Sequence, residues 1–75
     1  MQFLNIWAKK RGSEEFENGH PVLIDGEKNG VVNCSIKLDE GTVDVSVDAP
    51  GADETTVDIE NTTQENPLWV IIEVD

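Results

Sequence analysis

Thr42-Val43-Asp44-Val45-Ser46-Val47-Asp48-Ala49 alternates strictly between apolar and polar residues. A period of two is that of a β-strand with one dry and one wet face, because successive side chains point to opposite sides. Val31 to Leu38 repeats the pattern, with Val32, Cys34, Ile36 and Leu38 set against Val31, Asn33, Ser35 and Lys37. Working outward, Gly, Asn, Asp and Pro punctuate six candidate strands: Gln2–Ala8, His20–Asp25, Val31–Leu38, Thr42–Ala49, Thr56–Glu60 and Leu68–Val74. The expected fold is mainly β: one small domain spanning residues 1–75, built as a single antiparallel sheet, a sandwich or a barrel.

The two clearest strands are expected to form a hairpin through Asp39-Glu40-Gly41. A two- or four-residue connection pairs Leu38 with Val43, Ile36 with Val45 and Cys34 with Val47, placing all the apolar residues on one side. The wet face then sets Lys37 against Asp44, an opposite-charge pair worth about 0.2–1 kcal/mol. Leu68–Val74 differs in kind. Leu68, Val70, Ile72 and Val74 make one apolar face, and Trp69 and Ile71 make the other largely apolar too. Such a strand is expected in the interior of a sheet. The N-terminal segment is read as a strand, with a helix as the alternative, since Phe3, Leu4, Trp7 and Ala8 also recur at helical spacing. Ser13 could cap a short helical turn over Glu14–Glu17.

Charge is divided unevenly. Leu38 to Asp75 holds eleven carboxylates and no Lys, Arg or His, whereas five acids balance Lys9, Lys10, Arg11, Lys28 and Lys37 in the first half. The formal net charge of −11 therefore belongs to the C-terminal half. A one-signed surface attracts cationic partners and repels nucleic acid and anionic lipid. Direct nucleic-acid binding through Lys9-Lys10-Arg11 is opposed by that background, as is membrane association. No apolar run approaches the ~18 residues of a membrane span, and no secretory pattern opens the chain, so a cytoplasmic location is expected.

The candidate chemistries are few. Cys34 is the single cysteine, so neither an internal disulfide nor a cysteine metal cluster can form within one chain. It falls on the apolar side of its strand, where a thiol behaves as a small hydrophobe, while His20 sits in a loop context after Asn18-Gly19. These two are the only candidates for a nucleophile–base pair, and no catalytic residues are expected from them. Asp48, Asp53 and Glu54 flank Ala49-Pro50-Gly51-Ala52, but their spacing does not match a calcium loop, so neither metal nor cofactor is expected.

What remains is the acidic surface. Asp44 and Asp48 share the wet side of one strand, and Asp58 and Glu60 that of another. Carboxylates two residues apart on a strand stand about 6.7 Å apart, the same order as the ~3.4 Å phosphate rise of DNA. These four residues are the candidate partner-binding face of a non-enzymatic protein that engages a basic partner, including the groove of a nucleic-acid-binding protein. In size and charge the chain resembles nucleic-acid mimics and nuclease-immunity proteins, with no shared motif. The alternative is a structural or assembly subunit, of viral or mobile-element type, that forms a homo-oligomer through its sheet.

Overall fold

A computed structural model describes all residues, 1–75, as eight strands without a helix. They are β1 (Gln2–Lys10), β2 (Phe16–Glu17), β3 (Pro21–Ile24), β4 (Glu27–Val31), β5 (Cys34–Leu38), β6 (Gly41–Val47), β7 (Thr55–Ile59) and β8 (Leu68–Val74). The mainly β reading holds, and the N-terminal segment is strand. Ser13 does make a local bond, its Oγ accepting from the Glu15 N–H at 3.0 Å. No helix follows, because Lys10 N–H donates to Glu15 O at 2.9 Å and turns the chain back into β2.

The first sheet is organised around β1. Leu4, Ile6 and Ala8 are fully buried on its inner side, and both of its edges are bonded. On one edge lie β5, with Leu4 opposite Ile36 and Ile6 opposite Cys34, and then β2, with Lys9 opposite Phe16, all antiparallel. On the other edge β8 runs parallel, in register from Leu4–Leu68 to Lys10–Val74. Parallel neighbours require a crossover, and here the whole chain from Arg11 to Pro67 supplies it.

That crossover contains the second sheet, in the order β4-β3-β6-β7, all antiparallel. The β3–β4 turn is Asp25-Gly26, with φ of 52° and 83°. This is the left-handed geometry that two-residue hairpins need and that Asp-Gly tolerates best. Asp25 also ties the turn to β6, its Oδ1 accepting the Asp44 N–H at 2.8 Å. Thr62 binds the last loop to the start of β1, donating from its N–H to Gln2 Oε1 at 2.9 Å and accepting the Phe3 N–H at 2.8 Å.

Three expectations are corrected. The β5–β6 hairpin does not form: β5 pairs with β1, and β6 pairs with β3 and β7. Lys37 consequently stands opposite Phe3 rather than Asp44. The expected Val31–Leu38 strand is broken at Val32-Asn33, where Asn33 adopts φ 65° and the chain leaves the second sheet for the first. It returns at Gly41, with φ 150°. Ile36 and Val45 therefore line one core from different sheets instead of standing side by side. Finally, β8 is an edge strand, bonded to β1 alone.

For β5, β6 and β7 the inward side is nonetheless the one the alternation indicates: Ile36, Val45, Val47 and Ile59 are buried. Thirteen residues are buried, drawn from both sheets, and none is polar or charged. All sixteen acids are thus left to the periphery, where their distribution defines two unlike outer faces. The chain contains no helix long and apolar enough to cross a membrane.

Candidate functional site

The outer face of the second sheet carries the expected acidic residues. Along β6 and β7, Thr42 stands opposite Asp58 and Asp44 opposite Thr56. The acids thus occupy a diagonal, which avoids the penalty of like charges directly opposed across two strands. Each is held by the threonine facing it: Thr56 Oγ1 donates to Asp44 Oδ1 at 2.6 Å, and the Thr42 hydroxyl donates to Asp58. Neither carboxylate has a cationic partner. Asp48 follows β6 on the same face, its Oδ2 lying 3.8 Å from Lys28 Nζ. Both groups of that pair are well exposed, so it is a weak tether. Glu60 follows β7 and joins Glu40 and Asp58 around a shallow depression of about 260 Å³.

The structure therefore brings Asp44, Asp48 and Asp58 to one face, with Glu60 at its end. No group of three or more His, Cys, Asp or Glu residues has a geometry able to hold a metal ion.

The basic cluster after β1 is partly absorbed within the fold. Arg11 meets the Asp53 carboxylate with two nitrogens, at 3.0 and 3.2 Å, and also donates to Gly51 O at 2.8 Å and Asp75 Oδ1 at 3.4 Å. This clasp joins the end of β1 to the loop before β7 and to the end of β8. The guanidinium holds the Asp53 carboxyl below its usual range. Gly51 suits this position, since its φ of 68° is left-handed and it packs closely against the Asp75 carboxylate. Lys9, Lys10 and Lys37 form no ion pair.

His20 and Cys34 do not come together as a pair. His20 Nε2 lies 3.4 Å from Glu17 Oε1, whereas Cys34 packs against the core. Burial pushes the thiol's pKa up, which lowers its thiolate fraction and its nucleophilicity.

The feature not expected from sequence lies on the outer face of the first sheet. Trp7, Phe16, Trp69 and Ile71 line a wholly apolar depression of about 400 Å³. Trp7 is its floor, edge-on to Phe16 at 5.5 Å between ring centres and tilted against Trp69 at 6.2 Å. Phe16, Trp69 and Ile71 are 48%, 59% and 54% exposed, so no other part of the chain covers them. Its signal in the sequence is the two-sided apolarity of Leu68–Val74, a pattern that equally fits a strand covered on both faces. Comparison with protein-family models, with curated proteins and with solved structures gave no match.

Proposed function

We propose that this is a non-enzymatic protein-binding domain whose acidic face, Asp44, Asp48, Asp58 and Glu60, docks on a basic protein, with the groove of a nucleic-acid-binding protein as the fitting target. The observation that carries this reading is the condition of Asp44 and Asp58. Both are fixed on a sheet face by threonine hydroxyls, and neither is neutralised by a cation of its own chain. Orienting the carboxylates in advance lowers the ordering cost of a charged contact, and the −11 charge steers a cationic partner towards it.

The test is capture of basic proteins at about 50 mM salt, with their identification by mass spectrometry and elution by a salt gradient. The combined variant Asp48→Asn/Asp58→Asn/Glu60→Gln is expected to capture the same proteins more weakly and release them at lower salt. Equal capture and elution by wild type and variant would contradict the assignment.

A further inference from the structure

The outer edge of β8 is open over a short, defined stretch. Val74 O accepts the Arg11 N–H on the β1 side at 2.7 Å, and Glu73 O accepts the Asp53 N–H on the opposite side at 2.9 Å. Backbone groups alternate in direction along a strand. Trp69 and Ile71 therefore point their N–H and C=O groups outward, where no strand meets them. Asp53 closes this edge at Glu73. Pro67, without an N–H, marks its other limit. The side chains of the same two residues form one wall of the aromatic depression. Four unpaired backbone groups beside an exposed apolar groove are what an added strand requires.

Charge decides which strand. Suppose β8 pairs with itself in a second copy, antiparallel. Trp69 opposite Trp69 would require an N–H from Pro67, and Ile71 opposite Ile71 would require the Glu73 carbonyl that Asp53 already occupies. Only Trp69 opposite Ile71 satisfies every open group. That register brings together two bodies each of charge −11, whose mutual repulsion disfavours a second copy as the occupant. The acids at the two limits of the open stretch, Glu65 in the turn before Pro67 and Glu54 next to the Asp53 that closes the edge, favour Lys or Arg on an incoming chain.

We infer that the open Trp69–Ile71 edge of β8 receives an extended segment of a basic protein partner. The segment is apolar where it faces the groove and carries Lys or Arg at both flanks. This rests on the reading that the partner is basic, and adds a second contact surface with its own mode of recognition.

The probe is a capped peptide of about nine residues, with an alternating valine–threonine–isoleucine centre and two lysines at each end. Two control peptides carry glutamate in place of lysine, or proline at the centre. Amide hydrogen exchange and tryptophan fluorescence of the whole chain are followed. The lysine peptide is expected to protect the Trp69 and Ile71 amides and to bind about tenfold or more tighter than either control. Trp69→Ala, and independently Ile71→Thr, weaken it by about tenfold or more, whereas Asp44→Asn/Asp58→Asn leaves its protection pattern unchanged. Preference for lysine without protection at Trp69 and Ile71 overturns strand addition and leaves the basic-partner reading standing. Protection without preference for lysine counts against that reading itself. Sedimentation showing a dimer that protects the same two amides without peptide would establish a second copy as the occupant and overturn the inference.

Discussion

The two outer faces of this domain hang on one core, yet they are built to opposite rules. On the second sheet the outward positions of β6 and β7 are threonine and aspartate, interleaved so that each carboxylate has a hydroxyl and none directly faces another. On the first sheet the outward positions of β1, β2 and β8 gather two tryptophans, a phenylalanine and an isoleucine, with Lys9 opposite Phe16 and Lys37 opposite Phe3. The inner faces are interchangeable in character, all aliphatic apart from half-buried positions such as Cys34. Core packing therefore cannot explain the difference outside. An aqueous face needs polar residues but does not need eleven carboxylates in one half of the chain. Nor does it need an aromatic groove.

Substitutions that remove the shared core should abolish both faces together. Leu4 lies fully buried on the central strand, and Leu4→Ala is expected to cost about 2–5 kcal/mol. In a chain this short that is a large share of the total stability. Urea denaturation should show a greatly lowered midpoint. A near-normal midpoint would mean that β1 is not central.

A smaller effect is expected at the clasp that fastens the two halves. Gly51→Ala forces a side chain onto a left-handed backbone and against Asp75, for a cost of about 1–2 kcal/mol. Thermal unfolding measures it. Asp53→Asn should also lower the melting temperature, in a pH-dependent way. Because Arg11 depresses the Asp53 pKa, the stabilisation is complete above the ordinary carboxyl value of 3.8 and is lost as pH falls through the lower, folded value. The difference between wild type and Asp53→Asn should persist at neutral pH and vanish in strong acid. A constant difference across that range would place the stabilisation elsewhere.

The outer faces themselves should be separable with little effect on folding. Trp69→Ala is expected to leave stability within about 1 kcal/mol, because the ring is mostly exposed. It should weaken binding of the lysine-flanked peptide by about tenfold or more without changing the response of melting temperature to salt. Asp44→Asn/Asp58→Asn should do the reverse. Added salt raises the melting temperature of the wild type by screening repulsion among the acids, and the double substitution should flatten that rise. If either variant altered both properties equally, the two faces would not be independent.

Alternation reveals which side of β5, β6 and β7 faces inward, and it places Asp44, Asp48 and Asp58 together outside. It did not reveal which strands are neighbours. The inward residues of β5 and β6 are satisfied equally by lateral pairing or by facing one another across a core, since burial is the same either way. The choice is made by long-range geometry: β1 has nine residues and two edges to fill, and β5 fills one of them. The turn at Asn33 that diverts the chain is a single residue in a left-handed conformation, a weak mark in a sequence rich in asparagine and glycine. Asp25-Gly26 was a stronger one and could have revealed β4. Trp69 and Ile71 were visible, but periodicity cannot distinguish a face covered by its own protein from a face left for another.

The placement of β5 is the joint on which both faces depend, because it carries Lys37 to the aromatic side and leaves Asp44 on the acidic side. Interstrand backbone NOEs measure it directly. Contacts linking Ile36 to Leu4 and Cys34 to Ile6, together with a parallel set linking β1 to β8, are the predicted result. A ladder linking Ile36 to Val45 and Cys34 to Val47 would contradict the account.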